Sequence, residues 1–374
     1  MRSLAEVQLA ADRARLARQR PLLLRKWQRM VASPFAFLRG ASPLWAEALR
    51  RRPALLRAAP GRGGLVGDLH LENFGTFRAA TGFTFHVNDF DEAFDGPWTF
   101  DVLRLLVSTL LARPELGCSG TRALHLAHAL LDGHAAGLRG ARLARPSFIQ
   151  RLVDEAAAEK PSRLLDKRTD GKGRLLRDAQ KAPDAPAAVA RAVPAALAEW
   201  RASVGPAAGP PEALAVLDVT RRVAGTGSLG VERLQVLTRG DGTPWLLEVK
   251  ALRGSPAASV APDALDVAAR VRRALPLPPR GLGGAHLGRL AVLVHPLFAG
   301  EDKLDATKVD ADALEPTMHF LGFLAGEVHR RAARSPARWS RAQHRAVLDA
   351  AGALAGLHEE AFLEFCRLVA PVLA

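Results

Sequence analysis

The run of apolar and polar positions divides the chain into a helical first half, a strand-rich middle and a helical end. Over residues 3–31, Leu4, Val7, Leu9, Leu16 and the Leu22-Leu23-Leu24 run lie on one side of one or two predicted helices, with a break at Pro21. Ser33-Pro34 opens the segment PFAFLRGASPLW, and residues 45–56 read as a short basic helix. Residues 74–77 and 83–87 read as strands joined by a polar turn over 78–82. Gly96-Pro97 reads as a turn, and Asp101 starts an apolar helix running to Leu111. Further helices are predicted over 121–140 and 146–159, followed by a polar surface loop or lid over 160–181. The Ala/Pro-rich stretch 183–211 leaves room for one helix around 195–202. Strands return over 216–223, 231–238 and 245–252, the last two joined by the turn signal Gly240-Asp241-Gly242, and again over 290–297. Helices are expected at 262–275, 311–333 and 340–369. The pattern implies an α+β fold in three parts: a helical part over 1–210, a β-rich part over 211–300, and C-terminal helices over 301–374 that return to the first.

Composition narrows the class. Across 374 residues, 48% hydrophobic content with 24% charged residues is ample for a core. Only 8 of the 52 basic residues are Lys, Tyr is absent and Ile149 is the single Ile, so the net charge of +14 reads largely as codon bias spread over many helices. It would favour a polyanion such as ATP. No aromatic-rich basic strand, zinc spacing or RNA-binding signature accompanies it, so a nucleic-acid partner is not expected. Cys118 and Cys366 cannot build a disulfide framework, and the charged start lacks an apolar signal region. No apolar run approaches the ~18 residues of a membrane span. A cytoplasmic location is the expectation.

The chemistry concentrates at residues 67–92, GDLHLENFG followed by the hairpin and VNDFDE. The only two Asn of the chain, Asn73 and Asn88, fall here. Phosphoryl transfer in kinases uses an Asp that takes the acceptor hydroxyl's proton, an Asn five residues on that holds magnesium, and a further Asp beyond a hairpin that holds metal. Asp68, Asn73 and Asp89 have that spacing, with Asp91 as a second metal candidate and His70 as a neighbour supporting the loop. Magnesium takes few protein oxygens and leaves the rest to phosphates and water. Arg39 reads as a surface residue before a turn, and Asp101 as a structural tie between its helix and the loop. His125, His128 and His134 share a predicted helix without the Glu or Cys a zinc site needs. His329 and His358 read as packing or surface residues.

Some 150 residues later, Gly225-Thr226-Gly227-Ser228-Leu229-Gly230 forms a GxGxxG. A strand and a DG turn follow it, rather than the helix of a dinucleotide fold, and the third strand carries Lys250. That is the setting of a glycine flap over ATP with a Lys reaching the phosphates. The acid expected to pair with Lys250 falls to Asp266, or to Asp263, on the helix at 262–275.

GDLHLENFG with NDFDEA resembles the catalytic and metal loops of aminoglycoside phosphotransferases and related small-molecule kinases. FAFLRG, GDLHLENFG, NDFDEA, VAGTGSLG and VK together resemble more closely a bacterial family called domain of unknown function 2252, over nearly the whole chain. The first resemblance implies a kinase-like fold with ATP and magnesium as cofactors, Asp68 as the catalytic Asp, Asn73 and Asp89 as metal ligands and Asp101 as the structural Asp. The glycine loop and Lys here follow the catalytic loop instead of preceding it, which implies circular permutation. Val66-Gly67 precedes Asp68 where His-Arg or His-Gly is usual. The expected activity is phosphoryl transfer from ATP to an unidentified hydroxyl acceptor. AMP transfer, non-catalytic nucleotide binding and nucleic-acid binding are the alternatives.

Overall fold

The computed structural model describes residues 2–57, 59–170, 172–205, 214–334 and 337–373. The expected boundary near residue 210 lies outside the described residues. Four short helices open the chain: α1 (Leu4–Leu16), α2 (Arg20–Met30), α3 (Pro34–Gly40) and α4 (Ser42–Arg50). Ser3 and Glu6 form a reciprocal capping box at the start of α1, and α2, α3 and α4 each carry Pro in the first turn, where no backbone donor is lost. Strands β1 (Arg62–Leu65), β2 (Phe74–Ala79), β3 (Gly82–Val87) and β4 (Phe94–Pro97) follow, then helices α5 (Thr99–Leu111), α6 (Gly120–Leu138), α7 (Ser147–Ala158), α8 (Ser162–Arg168) and α9 (Ala187–Val204). The middle of the chain carries β5 (Ala215–Arg221), β6 (Arg233–Gly240), β7 (Thr243–Ala251), α10 (Ala264–Ala274), β8 (Gly283–Leu287), β9 (Leu290–Pro296) and β10 (Asp302–Lys303). Helices α11 (Leu314–Arg331) and α12 (Arg341–Leu373) complete the fold, which is α+β.

The strands form three antiparallel sheets, ordered β1-β4, β10-β2-β3 and β5-β6-β7-β9-β8. Gly96 and Pro97, expected in a turn, pair with Gly63 and Arg62 across β1 and β4. These two strands are short and glycine-rich and lack the alternation that marks a strand. The stretch 160–181, expected as a polar loop, forms α8 and buries Leu175 against Leu237 and Leu246, so it covers one face of the five-stranded sheet.

Helix α5 runs through the larger core with its side chains buried from Thr99 to Thr109. Helix α6 packs beside it, and α6 and α11 pack on each other backbone to backbone. A Cβ on Gly133 would lie 1.8 Å from the His319 carbonyl oxygen, and one on Gly322 would lie 1.8 Å from that of Leu130. Only glycine permits so close an approach. The other face of the five-stranded sheet packs on α9 through Val193, Ala196, Leu197 and Trp200. Helices α1 to α4 pack on the end of α12, where Phe365 meets Trp27 and Phe37.

Candidate functional site

The loop between β1 and β2 is tied down along its length by α5. The Asp101 carboxylate accepts from the Val66 N–H at 2.7 Å and the Gly67 N–H at 3.0 Å. Gly67 has φ 91°, and a Cβ there would lie 1.9 Å from the Glu92 carbonyl oxygen, so this position requires glycine. Leu69 and Leu71 are buried, and the Leu71 N–H donates to Ser108 Oγ at 3.2 Å. His70 Nδ1 accepts from the Glu72 N–H at 3.2 Å and caps a single 3-10 turn that ends at Asn73. The Asn88 N–H donates to the Asn73 carbonyl at 2.9 Å, which fixes the loop to the far end of the hairpin. Apolar residues anchor the loop while Asp68, His70 and Asn73 line a polar cleft.

Behind this loop runs a buried chain of hydrogen bonds. Trp339 Nε1 lies 2.9 Å from His134 Nδ1, His134 Nε2 lies 2.9 Å from His329 Nδ1, and His329 Nε2 lies 3.2 Å from the Asp101 carboxylate. An indole N–H only donates, so His134 must accept at Nδ1 and donate at Nε2. His329 then accepts at Nδ1 and donates to Asp101. Both imidazoles are thereby neutral and every link points toward the carboxylate. The Trp98 ring stacks on His329 with centroids 5.4 Å apart. His329, expected as a packing or surface residue, is thus buried and part of the support of the loop.

The Asp68 carboxylate meets the guanidinium of Arg104, a fully buried residue one turn along α5 from Asp101. Arg104 also donates to the Leu38 carbonyl at 2.9 Å and lies over the Trp45 ring at 5.4 Å. Beyond the hairpin, Lys250 Nζ lies 2.8 Å from Asp89 and 2.6 Å from Asp91. Lys303 reaches the other oxygen of Asp89 at 3.1 Å. Burial opposes ionisation of Asp89, but Lys250 and Lys303 outweigh it and hold this carboxyl well below the usual range. Burial and the charge of Asp89 push Asp91 up. The Gly254 N–H donates to the Asp91 carbonyl at 3.1 Å, joining the two distant segments through the backbone as well.

The glycine loop is held from outside by arginines. Arg29 of α2 donates to the Gly225 carbonyl at 2.5 Å, Arg253 to the Gly227 carbonyl at 2.5 Å, and Arg15 of α1 to the same carbonyl at 3.5 Å. Ser228 Oγ donates to the Ala224 carbonyl at 2.9 Å. Arg253 also contacts Glu92, which bonds Ser42.

Gly225, Thr226, Gly227 and Ser228 therefore face Asp68, His70, Asn73, Asp89 and Asp91 across one cleft. Its free volume is ≈ 50 Å³, against the ~300 Å³ at the low end of small-molecule sites. Three residues expected here do not line the cleft: Lys250 touches it only through Asp89 and Asp91, and Gly230 and Asp266 are elsewhere. Gly230 backs onto Leu16, where a Cβ would lie 2.2 Å from the Leu16 side chain, so it serves packing against α1. Asp266 is half exposed on α10 and pairs with Arg270 at 2.7 Å, and Asp263 caps the same helix by accepting the Asp266 N–H. The acids on Lys250 are Asp89 and Asp91, which lie closer than any helix need reach. The cleft also gathers Arg39, Glu92, Arg253 and Lys303, which were not predicted for it. Lys303 carried a signal, being one of eight lysines, and so did Arg104, a lone charge within an apolar helix.

Among the described residues no three His, Cys, Asp or Glu side chains converge as a protein-only metal cage. Asn73 Oδ1 is nonetheless buried without a hydrogen-bond partner in the cleft that holds Asp89. A buried acceptor left unpaired is costly unless something fills the vacancy. One amide oxygen beside one carboxylate fits a hard cation that takes most of its ligands from phosphate and water.

These features define an α+β protein with a closed cleft of carboxylates and cations, assembled from segments far apart in sequence. The model of the family described as "Uncharacterized protein conserved in bacteria (DUF2252)" matches residues 18–368, and the chain belongs to that family. No curated protein and no solved structure matches it. Among the described residues no helix is long and apolar enough to cross a membrane.

Proposed function

We propose that this protein is an ATP- and magnesium-dependent phosphotransferase acting on a hydroxyl acceptor, with a kinase-like site whose two halves occur in permuted chain order. The observation that carries the reading is the cleft that gathers Asp89 and Asp91, both paired with Lys250, with Asp68, Asn73 and a glycine loop. Phosphoryl transfer asks mainly for positioned donors and charge neutralisation, and this cleft offers both. Asp68 accepts the acceptor's proton, and Arg104 and Leu69 to Leu71 fix its position. Asn73 and Asp89 hold magnesium, with Asp91 next to them. Bound magnesium neutralises phosphate charge. Lys250, Lys303 and the glycine loop hold phosphate oxygens. Arg39, Arg253 and Glu92 close the cleft, so a nucleotide enters only if the glycine-loop side moves outward.

Thermal denaturation with and without ATP and magnesium tests the reading. A specific site at 100 times its Kd adds about 2.7 kcal/mol of stability. ATP labelled at the γ position is expected to pass label to an acceptor pool or to water. Transfer of α label instead would reassign the chemistry to AMP transfer, and the absence of any nucleotide effect would remove the reading altogether.

A further inference from the structure

A second cavity, of ≈ 570 Å³, opens beside the base of the glycine loop between α2, the turn at 179–183 and the adjoining ends of β5 and β6. Its size falls within the ~300–1,000 Å³ of small-molecule sites. Four guanidinium groups line it, from Arg25, Arg221, Arg222 and Arg233, and Glu232 is the one carboxylate among the described lining residues. Two of the four, Arg221 and Arg233, have carboxylate partners, though Arg233 Nε is buried without a partner, and Arg25 bonds only a backbone carbonyl. Arg221 makes two bonds to Glu232 at 2.8 and 2.6 Å, Arg233 pairs with Glu248 at 2.8 Å, and Arg25 donates to the Gln180 carbonyl at 2.7 Å. Arg222 makes no ion pair and no side-chain hydrogen bond among the described residues, and its Nε is buried without a partner. Burial and the neighbouring Arg233 push Arg222 down to about 10. Glu248 attracts Arg222 but is bonded to Arg233, so Arg222 has no carboxylate of its own and the wall carries an excess of cations, an unfavourable state for buried charge.

We propose that this cavity binds a phosphate-bearing small molecule of about nucleotide size, with the Arg222 fork on its phosphate. Arginine recognises phosphate in a bidentate manner, and the charge excess of the wall suits a dianion better than a single carboxylate. The site needs no metal and uses none of the cleft carboxylates, so it stands or falls apart from the transferase reading.

Calorimetric titration of the full chain in EDTA decides it, with AMP, ribose 5-phosphate, inorganic phosphate and adenosine as probes. AMP or ribose 5-phosphate is expected to bind and adenosine not to. Arg222→Gln is expected to weaken that binding at least tenfold without lowering the melting temperature of the ligand-free protein, whereas Asp89→Asn leaves it unchanged. Failure of both organic phosphates to bind, binding equal in Arg222→Gln, or binding that follows Asp89 instead overturns the proposal. Should Arg222→Gln not fold, Arg222→Lys decides, because it keeps the charge and loses the fork: unaltered affinity for the organic phosphates overturns the proposal, and a clear loss supports it.

Discussion

The two walls of the cleft are built in different ways. The wall at residues 66–73 hangs on buried groups of the helical core: Asp101, Ser108 and Arg104 of α5, with His329 and His134 behind them. The wall at residues 225–228 hangs on long arginines from α1, α2 and residue 253, each reaching a backbone carbonyl. Desolvated bonds in a packed core leave little freedom, whereas exchangeable contacts from long side chains can be released singly. The first wall is thus suited to fixing reacting groups and the second to opening for a ligand. The contrast predicts slower amide hydrogen exchange at 66–73 than at 225–230.

The largest expected effect comes from the fixed wall. Asp68→Asn keeps the shape of the side chain and removes its basicity. Transfer should fall by the ~10²–10⁴-fold typical of a lost general base, with binding of ATP and magnesium retained. Activity within a few-fold of the parent would show that Asp68 serves only to neutralise Arg104. Next comes Asp101→Ala, which leaves the Val66 and Gly67 amides without an acceptor in the core. Each buried unsatisfied donor costs about 1–3 kcal/mol, so the two amides alone should lose about 2–6 kcal/mol on chemical denaturation, with His329 Nε2 losing its acceptor as well. A loss below about 1 kcal/mol would mean that the loop is held by its leucines.

Acid separates the walls as well. Burial, with Arg39 and Arg104 for His70 and His329 for His134, pushes these two imidazoles well below the ordinary range, and burial with Arg104 brings His358 to about 3. The unfolded chain takes up protons at these positions below about pH 6.5 and the folded chain does not. Their contribution to stability is therefore full above that pH and falls as pH drops, by up to about 1.4 kcal/mol per pH unit for each group. His295 acts in the opposite sense: burial lowers it, but Glu248 outweighs burial and raises it, so its contribution is lost as pH rises. Protonation of Asp91 likewise favours the folded state. Burial lowers His86 and His344 as well and raises Glu72 and Glu301, so the lowered imidazoles outnumber the groups that act in the opposite sense and leave net acid lability. Hydrogen exchange between pH 7 and pH 5 should show the 66–73 wall loosening, while arginines hold the glycine loop unchanged. Equal loosening of both walls would erase the contrast.

Much of the cleft was legible because its polar residues stand in turns between apolar strands. The hairpin of β2 and β3 and the GxGxxG between β5 and β6 are local patterns, and local patterns fix which side chains leave the core. The less legible parts depend on pairing across long separations. β1 finds β4 some thirty residues on, β10 joins β2 from more than two hundred away, and neither β4 nor β10 has the alternation to advertise it. Lys303 reaches the cleft through such a pairing, whereas Arg39 comes from α3 and Arg253 from just past β7. The chain order of glycine loop and catalytic-type loop carried no information about their distance, since Lys250 bridges the gap.

The smallest effect tests the residue on which the sequence-based expectation and the geometry disagree most. Asp266, or Asp263, is the acid expected from the helix at 262–275 to pair with Lys250, but the Asp266 carboxylate pairs with Arg270 one turn along on a half-exposed face. An exposed i,i+4 pair is worth about 0.3–0.5 kcal/mol. Asp266→Asn should therefore shift stability by no more than about 0.5 kcal/mol and leave transfer unaltered. Asp89→Asn, by contrast, removes a charge from Lys250 and Lys303 together and should abolish magnesium-dependent stabilisation by ATP. If Asp266→Asn instead matched Asp89→Asn in activity while its fold stayed intact, α10 would have to swing toward Lys250 when nucleotide binds. The mobile wall would then include α10, and Asp91 would be the partner that Lys250 exchanges for Asp266.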